Sequence, residues 1–303
     1  MSHKIQPLIP GNTDGLEEIA RQLLEGIPAE PDPDEEVKPI AIPNEFNLED
    51  FVFLQGRSPG NQSYSLLVNM YRLGLNKSVE TAAKNLRYSL TNTAKEKNGR
   101  DYIGNINWEQ GLKLNLSLGG RTLNPRQYVD FLGLLNSGNA VDGNGRKIPK
   151  KKLTEVFNEI VQVREPYRAE LLDADFKYLG QNNNHVASNL PGNLWIFSDH
   201  IFSSAGDLNP NYREKLESCL MEDATPGIDF DYWLKNATKQ GLPPANNSKG
   251  KLYYWCPDKD NNSVAWFVAG SGRAVLSCVG SPSGSVSSLG VRLALPQGAL
   301  VQK

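Results

Sequence analysis

Between Ser263 and Val279 the sequence alternates with a period of two, which places neighbouring residues on opposite faces of a β-sheet. One predicted face carries small and apolar residues that suit a packed interior: Ala265, Phe267, Ala269, Ala274, Leu276 and Cys278. The opposite face has no common chemistry. Two interpretations stay open from these residues. The segment is either a Gly/Ser-rich connecting hairpin or a binding face whose small residues leave the backbone accessible.

The predicted secondary structure of the rest of the chain changes from helices to short strands along its length. Helical periodicity is predicted over residues 48–55, 63–75 and 78–97, then over 124–135 and 151–176, where Pro166 interrupts it. Asn124 is a predicted N-cap, with Pro125 in the first helical position. After Lys177 the helical signal fades, and short strand-like pieces occur at 193–202 and 251–255. Helices followed by short strands and long loops predict an α+β fold.

Domain boundaries follow from composition. Residues 1–45 are predicted to be a mobile arm, with one short helix at Leu16–Ile27 and a linker rich in proline and acidic residues. Residues 46–303 are predicted to form one domain. Within it, residues 46–98 form a helical elaboration, residues 99–303 form the core, and the C-terminal half is rich in strands and loops.

Global properties narrow the function. A net charge of -2 gives no reason to expect nucleic acid as a partner. No apolar run approaches the roughly 20 residues that a membrane span needs. The N-terminus lacks the pattern of a signal peptide, so we expect a cytoplasmic or virion-associated protein. With three cysteines and three histidines at no metal-ligand spacing, we expect no disulfide framework, no metal and no cofactor.

The stretch from Val268 to Leu289 has an unusual composition. It contains no Lys, Asp, Glu, Gln, Met or Trp, and its only charged residue is Arg273. Several neighbouring motifs accompany it: Tyr253–Trp255, Asp260–Ala265, Pro282 with Ser283, Ser287–Arg292, and upstream Leu123–Leu132. Together these residues resemble the variable proteins of diversity-generating retroelements, of the archaeal or archaeal-virus type, and the related formylglycine-generating-enzyme group. The resemblance extends over roughly residues 46–296.

This resemblance implies a C-type-lectin-like fold in which residues 253–292 are a hypervariable region, diversified where template adenines are miscopied. It implies that diversified side chains form an exposed ligand-binding surface, and we expect an unidentified macromolecule, a protein, as the ligand. The candidate ligand-binding residues are Trp266, Val268, Gly270, Gly272, Arg273, Val275, Ser277, Val279, Gly280, Ser281, Gly284, Ser285, Val286 and Ser288.

The sequence favours binding over catalysis, because the reactive groups of related enzymes are missing. The formylglycine-generating oxidases use a cysteine pair near the C-terminus, where this chain matches with Cys278 alone, and Cys256 lies in a different motif. Carboxylates at Asp173 and Asp175, and at Asp229 and Asp231, are read as loop and helix caps rather than as catalysts. The alternatives are a non-diversified adhesion or structural module of the same fold, and an oxidase of the formylglycine-generating type that lacks its cysteine pair.

Overall fold

The computed structural model describes residues 46–57, 62–90, 92–96, 98–178, 194–216, 218–258 and 262–297. These residues form five α-helices and 13 strands, which confirms the predicted α+β class. None of the described helices is both long and apolar enough to cross a membrane. The predicted mobile arm, residues 1–45, lies outside the described part of the chain.

The elements follow one another in this order. The helices are α1 (Lys77–Asn85), α2 (Trp108–Ser117), α3 (Pro125–Ser137), α4 (Lys150–Val161) and α5 (Phe230–Asn236). The strands are β1 (Phe51–Arg57), β2 (Ser63–Asn69), β3 (Asn92–Lys95), β4 (Asp101–Ile103), β5 (Arg168–Tyr178), β6 (Leu194–Phe202), β7 (Leu208–Lys215), β8 (Ala224–Ile228), β9 (Leu252–Trp255), β10 (Ser263–Ala269), β11 (Ala274–Gly280), β12 (Leu289–Gly290) and β13 (Ala294–Pro296).

One large sheet organises the molecule. Its strands run in the order β7-β6-β5-β10-β11-β9-β8, and β12 adds to β5 in parallel. The β11–β9 pair is also parallel, whereas β10 pairs antiparallel with both β5 and β11. A smaller sheet, β1-β2-β13, joins the first hairpin to the last strand, and β3 pairs with β4.

Apolar clusters cover both faces of the large sheet. The inner cluster packs Phe176, Phe267 and Leu276 against Leu132 of α3 and Val156 of α4. The outer cluster packs sheet residues such as Ala169, Leu171 and Val264 beneath α1 and α2, and it includes Leu289 and Val291. Because strand β5 is enclosed on both sides, its residues Arg168–Phe176 are all buried.

Local signals place helix α3 correctly. The Asn124 side chain accepts a hydrogen bond from Gln127 N, the Gln127 side chain accepts one from Asn124 N, and Pro125 opens the helix. This capping box and first-turn proline confirm the predicted start. Gly138, with φ of 67°, ends the helix in the left-handed region that suits glycine.

The helical elaboration predicted for residues 46–98 is wrong over its first half. Among the described residues of this range, only α1 and a 3-10 turn at Leu48–Asp50 are helical, and Phe51–Arg57 and Ser63–Asn69 are the paired strands β1 and β2. The hairpin lies between the two clusters, so apolar residues are needed on both of its faces. Val52 and Leu54 enter the inner cluster, and Phe51 enters the outer one. A short apolar run of this kind does not distinguish a doubly buried strand from a buried helix.

Two further differences concern the later helices. The helix predicted over residues 151–176 ends at Val161, and its second half is strand β5. Because both faces of this strand are covered, apolar residues occur on both of them, and such a run does not distinguish a buried strand from a helix. Helix α5 was not predicted; Asp229 caps it by accepting from Tyr232 N, so that carboxylate has the capping role expected of it.

Candidate ligand-binding surface

Strands β10 and β11 form the hairpin that carries the candidate surface. Phe267 pairs with Leu276 and Val268 with Val275, and the turn between the strands contains Gly272, with φ of 94°. A left-handed residue here favours glycine. The Gly270 amide donates to the Arg273 carbonyl, while the Gly270 carbonyl accepts from Arg164 N in the segment before β5. The turn is therefore held at both ends.

The predicted interior face of this hairpin is confirmed. Ala265, Phe267, Ala269, Leu276 and Cys278 are each 0% exposed, and Ala274 is partly buried against the inner cluster. Burying a side chain such as Phe267 stabilises the fold by about 1.5–3 kcal/mol. Most of these alternate residues of the hairpin thus pack into the inner cluster together with Leu132 of α3.

Several predicted surface residues are in fact buried, and cross-strand neighbours explain two of them. Val275 and Ser277 are each 3% exposed. In register, Val275 lies between Val268 and Tyr253, and Ser277 lies between two tryptophans. Side chains opposite one another on paired strands stand about 4.5–5.5 Å apart, so larger neighbours cover a short residue between them. The prediction that these two positions are displayed is wrong.

The indole of Trp266 packs against two more of the predicted surface positions, Gly280 and Gly284. A Cβ on Gly280 would lie 2.7 Å from Cε2 of Trp266 and 2.8 Å from the Val264 carbonyl oxygen. A Cβ on Gly284 would lie 2.9 Å from Cη2 of the same indole. Trp266 is itself partly buried against the outer cluster. Neither glycine can accept a side chain without movement, so both act as packing positions.

Ser288 is also buried, at 6% exposure, because its backbone is part of the framework. Its carbonyl accepts from Ala169 N at 2.9 Å and from Nη1 of Arg72 at 3.0 Å. Val268 is only partly exposed, for it packs against the outer cluster. The candidate set therefore divides into a covered group and a displayed group.

The displayed group comprises the hairpin turn, the end of β11 and the loop that follows it. Its members are the half-buried Gly270 and the exposed Gly272, Arg273, Val279, Ser281, Ser285 and Val286. Val279 is 42% exposed and Val286 is 37% exposed, unusual values for large apolar side chains. These residues form what we call the display face.

Two aromatic residues of β9 extend the display face, and the sequence analysis did not assign them a binding role. The Arg273 guanidinium carbon lies 5.1 Å from the Tyr253 ring centroid and 5.7 Å from that of Trp255. Both rings are half-buried, whereas Tyr254 between them is 0% exposed. The period-two pattern of β9 contained this information, since residues on either side of a buried tyrosine must face outward.

A buried ionic network fixes the chain just after the display face. Arg292 donates from Nε to Glu170 Oε1 at 2.5 Å, from Nη2 to Oε2 at 3.0 Å, and from Nη1 to the Asn69 carbonyl at 2.7 Å. Arg168 donates to the same carboxylate at 2.6 Å. Burial would raise the pKa of Glu170, but the two arginines hold it at about 2. The arginine of the Ser287–Arg292 motif is thus a structural anchor.

The remaining reactive groups contribute little to this face. None of the three cysteines forms a disulfide, and burial raises the pKa of the Cys278 thiol well above its usual range. A protonated, inaccessible thiol is a poor nucleophile. Within the described ranges no group of three histidine, cysteine or acidic residues is arranged to hold a metal ion.

Comparisons with protein-family models, with curated proteins and with solved structures found no match to this chain.

Proposed function

We propose that this protein binds a macromolecular ligand through the display face and that a retroelement diversifies that face, on a scaffold of the C-type-lectin type. The observation that carries the proposal is that the β10–β11 hairpin and the loop after it contain two distinct groups of residues, one buried in the core and one exposed to solvent. Phe267, Leu276 and Cys278 are completely buried. Arg273 in the turn, and Val279, Ser281, Ser285 and Val286 after the hairpin, are exposed. Side chains at the exposed positions can change without removing any core contact.

The chemistry of the display face suits protein recognition. Tyrosine, tryptophan and arginine are the residues that most often dominate binding energy at interfaces. Tyr253 and Trp255 supply two rings in fixed strand positions, with Arg273 lying over both. Exposed Val279 and Val286 add apolar area. Fixed aromatic residues beside variable positions would provide affinity, while the variable positions would determine the partner.

The inaccessible Cys278 favours binding over thiol-based catalysis. Its sulfur belongs to the inner cluster, and its neighbours on β10 and β9 are likewise buried. An oxidase of the formylglycine-generating type would need this thiol ionised and accessible to a substrate. A fixed adhesion module of the same fold agrees with the same geometry, and the experiments below separate it from a diversified protein.

The first experiment tests the surface itself. One displayed library randomises Arg273, Val279, Ser281, Ser285 and Val286, and a matched library randomises the covered positions Val275, Ser277, Gly280, Gly284 and Ser288. We expect most members of the first library to remain folded, measured as protease resistance on the cell surface, and to yield binders against arbitrary protein targets. Most members of the second should unfold. Equal tolerance of the two libraries would contradict the assignment.

The second experiment tests diversification. DNA flanking the gene should contain a near-copy of the region that encodes residues 262–292, differing at template adenines, together with a reverse transcriptase gene. If the flanking DNA has neither, the chain is a fixed module and only the binding half of the proposal stands.

A further inference from the structure

A cavity of about 450 Å³ lies on the outer side of the large sheet, apart from the aromatic rings of the display face. The start of α2, strands β5 and β6, the turn before β7 and the loop at Pro282 and Ser283 surround it. Its volume falls within the 300–1,000 Å³ typical of small-molecule sites. The proposal below concerns this cavity and does not depend on diversification of the chain.

The floor of the cavity is a histidine between two aspartates. His200 Nδ1 lies 2.6 Å from Asp173 Oδ1, and His200 N donates to Asp173 Oδ2 at 3.0 Å. The ring stands edge-on to Trp108, with centroids 5.1 Å apart. Asp173 therefore fixes both the orientation and the tautomer of the ring. Burial lowers the pKa of His200, but Asp173 and Asp175 more than offset this effect and raise it above its ordinary value. Above that pKa the neutral ring donates its Nδ1 hydrogen to Asp173 and presents the lone pair of Nε2 to the cavity.

The second acceptor on the floor lacks a partner. Asp175 is 8% exposed, and its Oδ1 atom makes no hydrogen bond with any described residue. The nearest polar atom is Nε2 of His200, at 3.5 Å, which is beyond ordinary hydrogen-bond length. The other oxygen of Asp175 accepts from Lys177 at 2.9 Å. Leaving such an oxygen buried and unsatisfied destabilises the fold, so the arrangement calls for a donor.

The walls and rim of the cavity indicate which kind of chemical group would carry this hydrogen-bond donor. Apolar walls come from Trp108, Leu208, Pro210 and Pro282. The rim carries the carboxylates of Glu109 and Asp207. Lys177 of the lining is already engaged with Asp175. Lys113, which lies one helical turn after Glu109, pairs with the Glu109 carboxylate at 2.7 Å. The Asp207 carboxylate makes no ion pair within the described ranges. An apolar passage with acidic groups at its mouth and floor favours a cation on an alkyl stem.

We propose that this cavity binds an alkylguanidinium group, the chemistry of an arginine side chain, with its N–H groups shared between Asp175 Oδ1 and His200 Nε2. A guanidinium presents several N–H donors in one plane and has no acceptor, so it can satisfy two adjacent acceptors at once. Its weak hydration lowers the cost of entry between Trp108 and the prolines. The ammonium of lysine is strongly hydrated and offers a less suitable donor geometry.

Two probes test the cavity and distinguish the source of the group. N-acetyl-arginine methylamide imitates an arginine within a protein, and agmatine imitates a free small molecule. Heteronuclear NMR titration of the full chain, at a pH where the His200 ring is neutral, should show saturable shifts of the indole N–H of Trp108 and of the His200 ring. For one side chain we expect a dissociation constant on the order of 1 mM. Saturation by the blocked arginine identifies a peptide side chain as the ligand, whereas saturation by agmatine alone identifies a small molecule.

Variants make the test specific. Asp175→Asn keeps the shape but supplies an N–H where an acceptor is needed, and it should weaken binding at least about tenfold. Asp207→Asn, at the exposed rim, should weaken binding about two- to fivefold without altering the core. Asp231→Asn, an exposed aspartate of helix α5, is the matched control and should bind as the unmodified chain does. Acetate serves as the anionic probe. Preferential binding of acetate, no binding of either cation, or full binding by Asp175→Asn overturns the proposal.

Discussion

Trp266 and Gly280 are in direct contact across the β10–β11 hairpin: a Cβ on the glycine would lie 2.7 Å from Cε2 of the indole. Real side-chain atoms do not approach this closely. The indole also covers Gly284, so one tryptophan fastens the loop after β11 to the sheet. A residue from the predicted variable set thus acts as the scaffold for two others.

Replacing Gly280 by alanine should destabilise the fold by about 1–3 kcal/mol, since a methyl group must be forced against the indole and the Val264 carbonyl oxygen. Urea denaturation followed by far-ultraviolet circular dichroism measures the effect. Ser285→Ala is the control, because Ser285 is exposed in the same loop. The double variant Trp266→Ala/Gly280→Ala should lose less stability than the sum of the two single variants. Strict additivity would show that the indole does not limit this position.

Two valines of strand β11 provide a matched pair for testing which positions of the strand are covered and which are exposed. Threonine has nearly the shape of valine but adds a hydroxyl group. At Val275, 3% exposed, we expect a loss of about 1–3 kcal/mol in unfolding free energy. At Val279, 42% exposed, we expect a change within about 0.5 kcal/mol. Thermal and urea unfolding of the two variants give the comparison, and equal losses would contradict the division between covered and displayed positions.

Removing Arg292 should be among the most damaging single changes. Arg292→Met deprives Glu170 of one of its two cationic partners in a site where both side chains are 1% exposed, at a cost of about 3 kcal/mol. The Glu170 pKa, now about 2 against an ordinary 4.5, should rise. Its stabilising effect is present above pH 4.5 and is lost as pH falls towards 2, so the variant should unfold in acid at a higher pH.

Acid titration monitored by tryptophan fluorescence measures that shift. Arg146→Met is the control, because Arg146 forms an exposed ion pair with Glu49. Such pairs contribute about 0–1 kcal/mol, and the control should titrate as the unmodified chain does.

The buried carboxyl groups of Glu159 and Glu96 predict the opposite dependence of stability on pH. Burial, and then a hydrogen bond to Glu96, raise the pKa of Glu159 from 4.5 to about 7. Arg164, Arg168 and Arg72 surround the pair. A raised acid pKa means that the folded state binds the extra proton, so stability should fall as pH rises from 4.5 to 7. Glu159→Gln should flatten this dependence in urea unfolding measured at several pH values. An unchanged dependence of the unfolding free energy on pH would contradict the raised pKa of Glu159.

Sequence reasoning succeeded where one local pattern determined the outcome. The period of two selected Ala265, Phe267 and Leu276 as interior residues because alternation needs no knowledge of the partner strand. The α3 cap at Asn124 was equally local. It failed where both faces were covered. Residues 51–69 were read as helical because a hairpin between two clusters is apolar on both sides, and Val275 was read as displayed because its covering neighbours come from other strands.

The cavity at His200 was beyond the reach of the sequence for a related reason. Asp173 and Asp175 were noticed as a pair, yet Trp108, His200 and Pro282 come from segments far apart along the chain, and no short motif links them. The positive φ of 53° at Asp199 adds to this, since it interrupts the alternation of β6 next to the histidine. The aromatic residues beside Arg273, in contrast, were predictable from the burial of Tyr254 alone.

The return of β13 to β2 has a consequence for how the protein is made. Leu67 pairs with Leu295, and the Asn69 carbonyl accepts from Arg292. The β1–β2 hairpin therefore gains these contacts only after residues more than two hundred positions later in the chain have been synthesised. Folding is completed only by chains translated in frame through the whole of residues 253–292. A frameshift within that segment would remove Arg292 and β13 together, leaving β2 and Glu170 without these partners. The closure that stabilises the domain therefore makes folding depend on an intact reading frame through residue 296.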